Sequence, residues 1–277
     1  MQTRDVRSHV AHTVTRGLLG RRTIATQWLE RVPRISVRVV GPRHHPLLVN
    51  ESTVPMTSST VWSDVDGYIS RLFGLSDATL ETAARRSRDR GLPNIQVSEP
   101  QGQLLHILAK AIGARRILEV GTLGGFSTIF LARALQSDGL LISLELNPTH
   151  AAVARENITD AGLSDLVEVI EGNAHESLAR MISEGVPAFD FIFLDAEKTG
   201  YTAYLEAILQ LSRPGTLIVA DNVVRNGAIS DPNSEDANVL GAREFNARLA
   251  AHPSVTGTVI QTVGSKGYDG LAIAVVE

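Results

Sequence analysis

Apolar and polar positions change their period several times along the chain, and each change marks an element. Val61, Val65, Ile69, Leu72 and Phe73 recur at helical spacing from Ser59 onward. Leu80, Ala83 and Ala84 resume that spacing after Ser76-Asp77, a capping signal, so two helices are predicted. Leu92-Pro93-Asn94 interrupts, and Gln103 to Ile112 reads as a third helix closed by Gly113. Short, continuously apolar runs then appear at Ile117 to Val120, Leu140 to Leu144, Val167 to Ile170, Phe189 to Leu194 and Thr216 to Ala220. Helical stretches around Ser127 to Leu135, His150 to Ala161, Glu176 to Ser183 and Tyr201 to Leu211 separate them. That alternation predicts an α/β fold, a mostly parallel sheet with helices on both faces. Thr258 to Val263 and Leu271 to Val276, joined by a turn over Gly264 to Gly270, predict an antiparallel pair at the sheet edge.

The first strand carries the sharpest local signal. In Arg115 to Thr128, RRILEVGTLGGFST, a buried strand breaks into Gly121, Gly124 and Gly125 before a helix opens. Glycines let the backbone turn sharply, and N–H groups at the helix start face the turn. This is a nucleotide or nucleoside pocket in outline. The dinucleotide order G-x-G-x-x-G is not met, so a phosphate-poor ligand fits better than a pyrophosphate. A glycine-bearing connection with no ligand is the alternative reading of the same residues.

Composition narrows the class. Net charge is −4 over 277 residues, yet residues 1–50 hold nine arginines against Asp5 and Glu30, so the remainder is acidic. An acidic body argues against nucleic acid as the main partner. With no cysteine there is no disulfide framework and no thiolate chemistry. No apolar run approaches the ~18 residues of a membrane span and no signal sequence opens the chain, so a cytoplasmic protein is expected. Residues 1–56 are Arg-rich, acid-poor and proline-bearing, and read as a poorly ordered extension, with organelle targeting or a structural arm as alternatives. Residues 57–277 form the expected domain, with leading helices over 57–113 and the sheet core over 114–277.

Ligands of an open parallel sheet sit beyond the carboxyl ends of its strands, where four polar residues or pairs draw notice. Glu119 lies in the first strand, Glu145 closes the second, Asp195 closes the fourth, and Asp221-Asn222 closes the fifth. Glu145 stands about twenty residues beyond the glycine turn, the spacing of a ribose-binding carboxylate. Asp195, Asp221 and Asn222 are oxygen donors suited to a hard cation, with Mg²⁺ preferred over Ca²⁺, although Asp and Asn also cap turns. Lys198, one of only three lysines beside 23 arginines, follows Asp195 by three residues. Lysine beside a bound cation can serve as a base where arginine cannot. His175, after the third strand, could line an adenine pocket.

Taken together, ILEVGTLGGFST, LEL ending at Leu146, GNA at Gly172 to Ala174, FDFIFLDAEKTGY, LSRPGTLIVADNVVRNG and QTVGSKGYDGLAIAVV resemble the cation-dependent class I O-methyltransferases, which include catechol and caffeoyl-CoA O-methyltransferases. The resemblance runs from about Trp62 to Val276. It implies a Rossmann-like seven-stranded sheet and S-adenosylmethionine held by Glu119, Gly121, Thr122, Gly125 and Ser127. Glu145 would meet the ribose, Ala174 the adenine, and Asp195 and Tyr201 would lie near the donor. It further implies Mg²⁺ on Asp195, Asp221 and Asn222, and Lys198 as the base. Glu197 departs from the aspartate usual there, which bears only on the pocket wall. The implied reaction methylates a hydroxyl of a vicinal-diol phenol, with no nucleic acid or membrane partner and commonly as a homodimer. Acceptor choice is expected in Asn94 to Glu99, in the loop Val223 to Leu240 and around Arg243. The acidic segment DPNSED, Asp231 to Asp236, favours a free catechol over a CoA thioester. A metal-independent methyltransferase, a nucleotide-dependent oxidoreductase and a non-enzymatic binding protein are the competing classes.

Overall fold

The computed structural model describes residues 58–277. The expectations for residues 1–56 and for the boundary at residue 57 lie outside the described residues. Three helices lead: α1 (Ser58–Phe73), α2 (Ala78–Asp89) and α3 (Glu99–Ala111). The core then alternates as β1 (Arg116–Val120), α4 (Phe126–Ala132), β2 (Leu140–Glu145), α5 (Pro148–Asp160), β3 (Val167–Glu171), α6 (Ala174–Ser183), β4 (Phe189–Leu194), α7 (Tyr201–Gln210) and β5 (Ser212–Ala220). It closes with α8 (Ala237–Ala251), β6 (Val255–Gly264) and β7 (Gly267–Val276). None of the described helices is long and apolar enough to cross a membrane.

The seven described strands form one sheet of order β3-β2-β1-β4-β5-β7-β6, parallel from β3 through β5, with β7 antiparallel to both β5 and β6. The expected fold class is therefore borne out. Its central strands β1, β2 and β4 are buried along most of their length because both faces are covered, whereas the edge strands β3 and β6 carry exposed positions. Ile117, Leu141, Phe191 and Val219 join the core under α2, α3 and α4, while their neighbours Leu118, Ile142, Ile192 and Ile218 join the core under α6, α7 and α8. Phe191 and Phe193 are fully buried, each contributing about 2–3 kcal/mol of burial. Strand order reverses direction at β1, between β2 and β4, and that reversal opens a crevice at their carboxyl ends.

Three expectations need correction. The third helix starts at Glu99 rather than Gln103, because Ser98 and Gln101 form a capping box around Pro100. The seven-residue turn expected over Gly264 to Gly270 is tighter: Gly264 pairs with Gly267 around Ser265-Lys266, and Gly267, at φ 98°, takes the left-handed conformation of a glycine bulge just after the turn. The loop expected to run to Leu240 gives way to α8, which Asp236 caps by accepting from the Asn238 and Val239 N–H groups.

Candidate active site

A cleft of about 650 Å³ lies over the carboxyl ends of β1, β2 and β4. Its floor starts at Gly121, whose φ is 99° and whose position admits no side chain, since a Cβ there would run into the Asp195 carbonyl. The turn beyond it is held from the next strand. Glu145, 8% exposed, accepts from the Thr122 N–H at 3.2 Å, the Leu123 N–H at 2.8 Å and the Asn147 N–H at 2.9 Å. Its carboxylate remains on the cleft wall, with the His150 ring 3.5 Å away. Gly121, Thr122, Ser127, Glu145 and Ala174 all reach this wall.

Glu119, Gly125 and Tyr201 do not. Strand alternation sends the Glu119 side chain to the face beneath α4, the face of Ile117, and not to the carboxyl edge. There it is fully buried and accepts from the hydroxyls of Ser127 at 2.6 Å, Thr128 at 2.5 Å and Ser143 at 2.5 Å. Burial raises its acid to about 7, against the three hydroxyls that favour the charged form. Gly125 serves the backbone: at φ 79° it precedes α4, and a Cβ there would press on Ala154 of α5. Tyr201 is sealed below the cleft, edge-on to Phe245 at 5.2 Å.

What Tyr201 supports is Lys198. The Lys198 ammonium, 4% exposed, donates to Tyr201 Oη at 2.7 Å, the Ala196 carbonyl at 2.9 Å and Asp195 Oδ1 at 3.4 Å. Tyr201 Oη in turn lies 2.9 Å from the Leu194 carbonyl and 3.0 Å from that of Asp221. One buried hydroxyl thus ties the lysine to the ends of both β4 and β5. Burial, then Asp195 and Asp221, pushes the phenol well above its usual range, so it stays a neutral donor.

Asp195, Lys198 and Asn222 share the main cleft, while Asp221 faces an adjoining cavity of about 130 Å³ that Asn222 also borders. Asn222 has a φ of 55°, a left-handed strain asparagine tolerates, and its N–H donates to Asp221 Oδ1 at 2.7 Å. Burial, followed by the charge on Asp195, raises the Asp221 acid to about 7, against the opposing pull of Lys198. Among the described residues no three His, Cys, Asp or Glu side chains gather as a metal cage; this cluster instead combines two carboxylates with a carboxamide.

Several wall residues escaped the sequence reading. Tyr204 stacks on His175 at 4.3 Å and 11°, and its hydroxyl donates to Glu197 at 2.5 Å. Glu197, the departure from the family pattern, is thereby a pocket-wall residue. The only advance signal for Tyr204 was its place three residues after Tyr201 on a helix. Of the segments expected to choose the acceptor, Asn94 to Val97, Arg225 and Asn238 reach the cleft. Arg243 does not: its guanidinium donates to the Asp231 carbonyl at 3.0 Å on the exterior.

Comparison with known proteins agrees with this geometry. The sequence model of a family described as O-methyltransferase matches residues 75–274. A catechol O-methyltransferase of Niastella koreensis is 49% identical over 220 residues, covering 79% of this chain and 100% of the relative. One from Mycobacterium tuberculosis is 45% identical over 213 residues, covering 77% and 95%. Among solved structures, an O-methyltransferase of Bacillus cereus in complex with SAH superimposes with a TM-score of 0.78 at 48% identity, covering 79% of this chain and 100% of that one. TomG of Streptomyces achromogenes, in complex with SAM, gives 0.77 at 46%, covering 80% and 99%. By motif, fold and likeness alike, the chain belongs to the O-methyltransferase family.

Proposed function

We propose that the protein transfers the methyl group of S-adenosylmethionine to one hydroxyl of a catechol-type phenol, with Mg²⁺ held by Asp195, Asp221 and Asn222 and Lys198 as the base. The observation that carries the reading is a carboxylate-clamped glycine turn sharing one cleft with Asp195, Lys198 and Asn222, while Asp221 borders the cavity that adjoins it at Asn222. The donor set fits a hard divalent ion. All its donor atoms are oxygens, two from carboxylates and one from a carboxamide. The SAM- and SAH-bound neighbours and the relatives named for catechol support the donor and acceptor classes.

When bound, the cation supplies charge that eases ionisation of a chelated diol. The rest is the work of this chain. As the neutral amine, Lys198 takes the hydroxyl proton at Nζ, and its three acceptors stabilise the ammonium that results. Glu145 accepts from the donor's ribose and fixes the turn on which the donor lies. Phe126 and Tyr204 wall the cleft and exclude water.

The test supplies isotopically labelled donor with a panel of catechols, with and without Mg²⁺. Labelled methyl ether is expected only with the ion, and EDTA-resistant turnover would overturn the metal role. Lys198→Ala should lower kcat by about 10²–10⁴-fold while donor affinity holds. An equal loss of both would remove the lysine from the chemistry.

A further inference from the structure

The cleft carries two cations, Arg225 and Lys266, that form no salt bridge among the described residues. Arg225 stands three residues beyond Asn222, and its backbone N–H is fixed by Asp269 Oδ1 at 2.8 Å. Its Nε is buried with no hydrogen-bond partner, and the side chain lines the cleft. Lys266 occupies the β6–β7 turn. Because β7 runs against β5, that turn overhangs the carboxyl edge of β5. The Lys266 ammonium reaches only Asn94, at 3.4 Å to both its backbone and side-chain oxygens, and borders both cavities.

Among the described residues neither cation has a carboxylate within ion-pair distance, although Glu99, at longer range, favours the charged form of Lys266 against its burial. Arg86, Arg115, Arg133, Arg155, Arg213 and Arg248 each meet an Asp or Glu, whereas Arg85, Arg116 and Arg243 find hydroxyl or carbonyl acceptors instead. The acidic segment Asp231 to Asp236 does not neutralise Arg225 or Lys266, since it forms no part of either cavity wall. A guanidinium kept without a carboxylate beside a cleft retains its charge for an anion that enters there.

We infer that Arg225 and Lys266 form a carboxylate-recognising pair, and that the preferred acceptor is a catechol bearing a carboxylate on its ring or on a short side chain. This deepens the catechol reading and rests on it. Both side chains line the cleft that Asp195 and Asn222 also border, so a carboxylate can meet these charges while the diol faces Asp195 and Asn222.

The experiment compares kcat/KM for 3,4-dihydroxybenzoate and for catechol in the wild type, Arg225→Gln, Lys266→Gln and Lys266→Arg, and measures calorimetric binding of both compounds to each. The wild type is expected to favour the benzoate. That preference should fall about tenfold or more in each Gln variant and persist in Lys266→Arg, which restores the charge. An unchanged preference in a folded Lys266→Gln protein overturns the proposal, whatever becomes of the Arg225 variant. Should neither compound be methylated by the wild type, the catechol reading falls, and the binding arm still decides: benzoate affinity lost in the Gln variants upholds the anion site, and equal affinity rejects it.

Discussion

At the scale of single residues, Glu119 illustrates how much a side chain's parity decides. Its position in the strand was readable, but the face was not weighed, and alternation placed it under α4 among three hydroxyls. Its acid is raised from 4.5 to about 7, chiefly by burial. A carboxyl that binds its proton more tightly when folded adds stability below its unfolded value and forfeits it as pH climbs through the folded one. Wild-type stability from urea unfolding should therefore decline between about pH 4.5 and 7, by about 3 kcal/mol from this group. Glu119→Gln should remove that component, leaving whatever slope Asp221 adds. A variant with the wild-type slope would show that Glu119 is charged throughout. Asp195, Lys198 and Asp221-Asn222 were legible for a simpler reason, since a polar residue ending an apolar run has nowhere to go but the edge. Tyr201 and Tyr204 were not: which of two tyrosines faces ligand depends on helix rotation, which the sequence alone leaves open.

Among elements, the strands and most helices followed from periodicity, whereas α8 was passed over. Its buried positions Val239, Ala242, Phe245 and Leu249 keep helical spacing, but the alanines interspersed on the other faces blur the contrast between buried and exposed sides. The omission matters because α8 presses on the segment that carries Lys198. Gly241 lies so close to the Lys198 carbonyl that a Cβ would collide with backbone. Gly241→Ala should accordingly destabilise the fold by about 1–3 kcal/mol and lower kcat by displacing Lys198. Thermal melting and steady-state kinetics would check both, and a variant with unaltered kcat would uncouple α8 from the lysine. The capping box at Ser98 and the Ser265-Lys266 turn were likewise written in the residues. They required local capping and turn rules to be applied ahead of the hydrophobic pattern.

For the molecule as a whole, the cleft gathers strand ends from both sides of the topological reversal, so occupying it should stabilise the entire domain. A ligand that binds only the folded state raises its stability by RT ln(1 + [L]/Kd), about 2.7 kcal/mol at a hundredfold excess over Kd. Saturating Mg²⁺ should raise the melting temperature of the wild type by several degrees, and Asp195→Ala should abolish the rise. An equal shift in both proteins would place the ion elsewhere. The same long-range assembly has a temporal side. Asp269 Oδ1, on β7, accepts from the Val224, Arg225 and Gly270 N–H groups at 2.9, 2.8 and 2.9 Å, so a late strand pins the segment that follows Asn222. During synthesis the ribosome releases β1 through β5 first, and they can pair before that pin exists. A nascent chain therefore gains its donor half early but stays catalytically mute until the closing hairpin emerges, and the enzyme cannot be switched on piecemeal.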